Sequence, residues 1–142
     1  MRKGLLILLT VIATIVGTNR VSAQYNREYF FWVGRQQMMG NEFTEAIRTL
    51  NVLLRFDKDA YEGYFLRGIA KYNLDDLIGA EADFTIAIHK NPVFTTAYTY
   101  RAITRSRLGN YDDALKDFRE AIDLRPDLPN PYFSRGVTRL LN

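Results

Sequence analysis

The sequence predicts an all-α protein, a solenoid of helix-turn-helix units made of three full repeats and the first helix of a fourth. Three observations predict it. From residue 27 onward the 142-residue chain repeats every 34 residues without insertion or deletion, so aromatics recur at Phe30, Tyr64, Tyr98 and Tyr132, and small residues at Gly34, Gly68, Ala102 and Gly136. In the same step, alanines recur at Ala46, Ala80 and Ala114, and large apolar side chains at Leu50, Phe84 and Phe118. Within each half-unit the apolar positions are spaced by three and four, the period of one helix face. A fixed period of this length marks stacked supersecondary units, each of which buries its apolar face only against its neighbours.

Ahead of the repeats, residues 1–23 begin with basic Arg2 and Lys3, continue through a twelve-residue apolar run at 5–16, and end on Val21-Ser22-Ala23. This is the layout of a cleaved secretory signal. As an uncleaved anchor the run would be too short, because twelve residues at 1.5 Å rise reach only about 18 Å against a hydrocarbon core of about 30 Å. The step from Ala23 to Gln24 resembles signal-peptide ends common in the Bacteroidota. The sequence has no Cys, which excludes a lipid-modified N-terminal Cys and a disulfide framework. The expected product is exported: periplasmic, associated with the cell envelope, or secreted.

Cleavage also changes the charge. Three of the 19 basic residues, Arg2, Lys3 and Arg20, leave with the signal, so 16 basic residues face 16 acidic ones. The +3 of the whole chain is a property of the export segment and gives no reason to expect nucleic acid or an anionic membrane as partner. The 119 residues at 24–142 suit one compact domain, with units expected at 27–60, 61–94 and 95–128 and a partial unit at 129–142.

Each unit reads as a helical hairpin. In the third, one helical pattern covers 96–108, Gly109-Asn110 forms a turn because both residues tolerate positive φ, and a second pattern runs from Tyr111 to Leu124. Pro126 closes it, lacking an N–H and biasing its predecessor away from αR. The second unit repeats the plan with Asp75-Asp76 at the turn and Pro92 at the end. The second helix of the third unit carries Tyr111, Ala114, Leu115, Phe118, Ala121 and Ile122 as an apolar stripe, with short side chains at Ala114 and Ala121 for close approach. Gly68 and Gly136 sit inside first helices, where Gly costs about 1 kcal/mol relative to Ala; their recurrence needs a packing reason. The glycines are not phosphate loops, since they do not lie between a strand and a helix. In the fourth unit Asn130-Pro131 reads as an N-cap and first turn.

With these residues in place, the strings YFLRGIAKYNL…GAEADFTIAIHKNP and YTYRAITRSRL…DALKDFREAIDLRP resemble the tetratricopeptide repeat: an aromatic and then a small residue in the first helix, an Ala, Phe and Ala series in the second, and a Pro near the end. The two units share 10 of 34 positions. The first unit is more divergent, with Leu50 and Leu53 in the Phe and second Ala columns and Lys58 in the Pro column, and is expected to cap the array. The resemblance implies a right-handed solenoid whose first helices line a concave groove. Carried over, that face comprises Glu28, Phe31, Arg35, Met38 and Met39; Glu62, Phe65, Ile69, Tyr72 and Asn73; Thr96, Thr99, Ile103, Ser106 and Arg107; and Asn130, Phe133 and Val137. The binding set expected within it is Phe31, Arg35, Met38, Phe65, Ile69, Tyr72, Thr99, Ile103, Arg107 and Phe133.

Consecutive helix positions cannot both enter one narrow seam. At least one of the columns Phe30/Tyr64/Tyr132 and Phe31/Phe65/Phe133 is therefore expected to be partly exposed. In similar proteins a clamp of Lys and Asn grips the C-terminal carboxylates of cytosolic chaperones. Here the positions hold Glu28, Phe31, Glu62, Phe65, Ile69, Thr96 and Thr99, so no such clamp is expected. A ring-rich groove with few charges instead suits an extended or helical peptide anchored by apolar side chains, and the Met38-Met39 step would tolerate varied partners.

Other candidate chemistry is absorbed by the repeat. Arg67, Arg101 and Arg135 recur with Asp83 and Asp117, and where the first unit has Val33 it has Thr49; Arg and Asp vanish together, which predicts an interhelical ion pair. As exposed pairs these would contribute only about 0–1 kcal/mol each. Arg135, having no second helix of its own, would use Asp117, and Arg107 reads as a free groove charge. Asp75-Asp76 and Asp112-Asp113 read as acids at the start of second helices, favoured by the helix dipole. His89 is a lone His without Cys, so neither a His/Cys metal cluster nor a Cys–His nucleophile can be built. No catalytic residue, metal site or cofactor is expected.

The reading that follows is an exported, non-enzymatic interaction module that binds a protein or peptide in an apolar concave groove, as a scaffold in a cell-envelope assembly. The alternative is the N-terminal repeat segment of a longer exported enzyme or sensor with its catalytic part beyond residue 142. Self-association through the last helix is a third, weaker expectation. The export reading has a direct check: the mature protein recovered from the envelope fraction should begin at Gln24, and a chain retaining Met1 in the cytoplasm would contradict it.

Overall fold

The computed structural model describes residues 27–141; the expected signal segment lies outside them. The described residues form seven α-helices and no strand. These are α1 (27–39), α2 (Phe43–Phe56), α3 (Tyr61–Asn73), α4 (Leu77–Lys90), α5 (Thr95–Arg107), α6 (Tyr111–Leu124) and α7 (Pro129–Leu141). They pair as antiparallel hairpins α1/α2, α3/α4 and α5/α6, and α7 packs on α6. The first helices α3, α5 and α7 also touch in series, whereas α4 and α6 do not touch each other. First helices therefore line the inner side of the stack and second helices the outer side. No helix of the described residues is long and apolar enough to cross a membrane.

The turn inside every hairpin is the same object. Asn41, Asp75 and Gly109, each 34 residues apart, all have positive φ (59°, 65° and 81°). The next amide donates back to the carbonyl five residues earlier: Glu42 to Gln37 at 2.8 Å, Asp76 to Lys71 at 2.9 Å and Asn110 to Arg105 at 2.9 Å. This is the Schellman ending, in which a left-handed residue lets orphan helix carbonyls find donors. Asp75 accordingly differs from the sequence expectation: it is the left-handed turn residue, a conformation that Asp adopts more readily than most. Asp76 does cap α4, its side chain accepting from the Gly79 amide at 2.9 Å, and Asp112 and Asp113 lie in the first turn of α6. Helix α7 starts at Pro129, so Asn130 lies inside its first turn and does not cap it.

The core is a file of small residues on first helices against large ones on second helices. A Cβ placed on Gly34 would lie 3.0 Å from Leu50, and one on Gly68 would lie 2.7 Å from the Phe84 ring. In the third unit Ala102 packs with Ala114 and Phe118, all fully buried. The recurring glycine thus has its packing reason: only a residue without bulk admits the partner ring at this helix separation.

Beside each ring sits a buried carboxylate. Arg67 donates two bonds to Asp83, at 2.8 and 2.7 Å, and Arg101 does the same to Asp117. The third arm of each guanidinium crosses to the preceding hairpin, Arg67 to Asn51 at 2.6 Å and Arg101 to Thr85 at 3.1 Å. A second cation joins each carboxylate, Lys71 at 2.9 Å on Asp83 and Arg105 at 2.9 Å on Asp117. Arg105 also meets Glu81 at 2.7 Å. One Arg thereby fastens its own hairpin and its neighbour. The expectation of exposed pairs is corrected here, since Asp83 and Asp117 are only 2% and 3% exposed. The Asp83 hydrogen bond raises the Arg67 guanidinium above its ordinary value; at Arg105 burial pulls downward, but Glu81 and Asp117 outweigh it. Arg135 does not use Asp117, whose two oxygens already serve Arg101 and Arg105. It lies over the Tyr132 ring, as Arg67 lies over Tyr64 and Arg101 over Tyr98.

Between hairpins, Lys90 reaches Asp59 at 2.6 Å, and Arg125 grips Asp127 through two 2.8 Å bonds that lower its carboxyl to about 2. Removing one partner of a buried charge cluster leaves the others uncompensated, typically at about 3–5 kcal/mol. Asp117→Ala should therefore lower stability by roughly 3 kcal/mol in urea unfolding, whereas Asp113→Ala, which breaks the exposed Lys116 pair, should leave the unfolding midpoint unchanged.

Candidate functional site

The inner face is built by α1, α3, α5 and α7, and its predicted residues separate into three groups. At one end Phe31, half-buried, lines an open cavity of about 260 Å³ with Arg27, Glu28, Ala60 and Glu62. At the other end an open cavity of about 270 Å³ is lined by Ile103, Ser106, Arg107, Phe133, Ser134, Val137 and Thr138. Its walls are the apolar Ile103, Phe133 and Val137. Two of its hydroxyls are mutually occupied: Ser106 and Thr138 share a 2.8 Å hydrogen bond in which one donates to the other, and the accepting hydroxyl keeps its proton for the carbonyl four residues back, 3.0 Å away for Ser106 and 2.9 Å for Thr138.

The middle group departs from expectation. Phe65 packs into a ring cluster with Phe84, Phe94 and Tyr100, at centroid distances of 5.7, 4.8 and 5.4 Å. It belongs to the seam between hairpins. Thr99 is 7% exposed, its hydroxyl donating to the Thr95 carbonyl at 3.3 Å, so it presents no polar group to a ligand. Ile69 and Tyr72 are half-buried, Met38 likewise, and Arg35 and Met39 are exposed. Arg107 is not free. It stacks on the Tyr72 ring at 4.8 Å and pairs with Asp75 at 2.7 Å, bridging α5 to the preceding hairpin turn. Tyr72, ahead of Asp75, pushes its guanidinium above the ordinary value.

Position along the stack separates the two aromatic columns. Phe31 and Phe65 are half-buried, while Phe133, two units after Phe65, is 75% exposed. Tyr64 and Tyr98 are half-buried beneath their arginines, and Tyr132 is 40% exposed. Trp32, 60% exposed on α1, was not among the expected residues; its column continues as Leu66, Tyr100 and Ser134 and keeps no one residue type, so the period did not single it out. The Lys71/Arg105 and Asn51/Thr85 columns were also missed, although both step by 34. His89 is exposed in the last turn of α4. Among the described residues no group of three His, Cys, Asp or Glu side chains is placed to hold a metal.

The fold that these hairpins define is an all-α solenoid of the arrangement seen in tetratricopeptide repeat domains. Residues 107–142 match the TPR repeat family model. Among solved structures, the Arabidopsis OM64 TPR domain superposes with a TM-score of 0.81 at 22% identity, over 84% of this chain and 99% of that one. The first TPR of Spaghetti (RPAP3) bound to the HSP90 peptide SRMEEVD gives 0.79 at 21%, over 82% and 92%. MamA gives 0.78 at 24%, over 81% and 67%. A curated relative, the Protein SGT1 homolog of Oryza sativa subsp. japonica, is 35% identical over 63 residues, 44% of this chain. The chain spans only 17% of that relative's length.

The seam and the open cavity should respond oppositely to truncation. Phe65→Ala, which removes a half-buried ring from the cluster with Phe84, Phe94 and Tyr100, should cost roughly 1–3 kcal/mol, whereas Phe133→Ser should leave the melting temperature within a degree or two, both read by circular dichroism.

Proposed function

We propose that this chain is an exported, non-enzymatic interaction module that binds a peptide segment of a partner protein on its concave face and serves as a scaffold in a cell-envelope assembly. The observation that carries the reading is the open cavity between α5 and α7, with Ile103, Phe133 and Val137 turned into it. At about 270 Å³ it falls just below the ~300–1,000 Å³ of small-molecule sites, a size suited to apolar side chains of a docked peptide. Solved structures of the same fold support peptide binding as the mode, among them the RPAP3 domain with SRMEEVD and the yeast Sti1 TPR2B:pHsp70 complex. The chemistry proposed here differs from that of an acidic peptide. Arg107, the cation lining the cavity, is already held by Asp75 and Tyr72, so the anchor is apolar and affinity comes from desolvating Phe133 and its neighbours. Export rests on the signal-like residues 1–23, and the envelope is where the partner is expected.

A photo-cross-linking residue in place of Val137, in the protein expressed in its native envelope, should trap one predominant partner. Phe133→Ser and Ile103→Asn should each reduce that capture at least tenfold with helicity unchanged. Capture that is indifferent to both substitutions would refute the concave cavity as the binding site.

A further inference from the structure

The crevice between α2 and α3 holds charge that the hairpin stack does not use. An open cavity of about 360 Å³ there is lined by Asn51, Leu54, Arg55 and Lys58 of the first hairpin and by Tyr64 and Arg67 of the second. Tyr64 and Arg67 lie on the opposite side of α3 from Phe65, Ile69 and Tyr72, so this cavity is separate from the concave face. Three cations and no acid line it. Arg67 is already spent: two of its arms hold Asp83 and the third donates to the Asn51 side-chain oxygen at 2.6 Å. Arg55 and Lys58 are both exposed, and among the described residues neither meets a carboxylate. The acids beside them in the chain are taken by other cations, Asp57 by Arg27 at 3.0 Å and Asp59 by Lys90 at 2.6 Å.

The repeat does not require these two cations. In the next crevice, between α4 and α5, the same columns hold His89 for Arg55 and Pro92 for Lys58, while Tyr98 and Arg101 keep their types. A cation in the last turn of α2 opposes the negative end of the helix dipole, which gives Arg55 a structural reason. Lys58 stands beyond the helix, where the next two units have Pro92 and Pro126. The number of charges decides what the pair accepts. Elsewhere in this fold one carboxylate takes two cations, Asp83 with Arg67 and Lys71, and Asp117 with Arg101 and Arg105. Arg55 and Lys58 offer such a pair with no carboxylate between them, beside Asn51 as a further polar group and Leu54 and the Tyr64 ring as an apolar wall.

We propose that this crevice is an anion site that takes a carboxylate side chain from an acidic segment of a partner polypeptide. Being open to water, it steers and orients such a partner more than it holds one. The test titrates the whole chain, isotope-labelled for NMR, with the capped tripeptide acetyl-Glu-Glu-Glu-amide. Saturable shifts centred on the Asn51 side-chain amide, Arg55 and Tyr64 are expected, with a Kd on the order of 1 mM that weakens with added salt. The matching Gln tripeptide should produce none. Arg55→His combined with Lys58→Pro rewrites the crevice in the residues of the next unit and should weaken binding at least tenfold. The backbone accepts that proline: Asp57 is extended (φ −134°, ψ 98°), as is Asn91 before Pro92 (φ −137°, ψ 90°), so the melting temperature should not fall. No saturation by the Glu peptide, equal binding of the Gln peptide, shifts centred on the concave face, or binding indifferent to the double substitution would each overturn the proposal. So would saturation by inorganic phosphate at a lower concentration than the Glu peptide, since phosphate would then be the ligand. Phe133→Ser, which removes the ring from the concave cavity, should leave the titration unchanged and so keep the two surfaces distinct.

Discussion

The structure depends on a bulky side chain of each second helix seated on a residue without bulk in the first. Phe84 over Gly68 sets the separation and rotation of its hairpin, and Phe118 over Ala102 and Leu50 over Gly34 repeat the arrangement with other side chains. At that separation the residue before each Phe is carried into the interior. It is an Asp, and a carboxylate so placed must be met by charge and hydrogen bonds because desolvating it alone is costly. Two cations meet each one, and the bidentate Arg fixes direction as well as distance. The ion pairs are thus a consequence of the close approach, and they in turn specify its register.

The same geometry passes the constraint from unit to unit. Arg67 and Arg101 each spend two donors within a hairpin and one on the hairpin before, at Asn51 and Thr85. Arg107 ties α5 to the Asp75 turn, and Lys90 ties α4 to Asp59. These bonds add specificity to an apolar seam whose largest member is the Phe65, Phe84, Phe94 and Tyr100 ring cluster. A solenoid of this kind is held by nearest-neighbour contacts, so the surfaces left open are those where a neighbour's contribution is smallest. On the concave side this leaves Phe133 exposed where Phe65 is covered.

Position in the stack therefore governs what a given column does. Gly68 and Gly136 occupy one column, yet the first is a steric necessity and the second meets no neighbour within 4 Å. Phe65 and Phe133 differ in the same way. A residue type recurring every 34 positions identifies a structural role, and the contacts that role makes are set by what stands opposite.

From the sequence alone came the all-α repeat, the hairpin pairing, the turn positions and the Arg–Asp partnership, because a strict period makes each local pattern confirm the next and close-packed seams tolerate little variation. Helix limits fell within a residue or two of expectation at Thr95 and Arg107. The tertiary structure alone decided that Asp83 and Asp117 are buried, that Arg107 is engaged, that Thr99 is covered and that Phe65 packs into the inter-hairpin ring cluster. Each of these depends on residues 16 to 35 positions away whose distance is set by how one hairpin leans on the next: Asp83 by Arg67, Arg107 by Asp75, Phe65 by Tyr100. Periodicity reports which face a residue occupies, and only the stacking of the hairpins determines how much of that face remains in water.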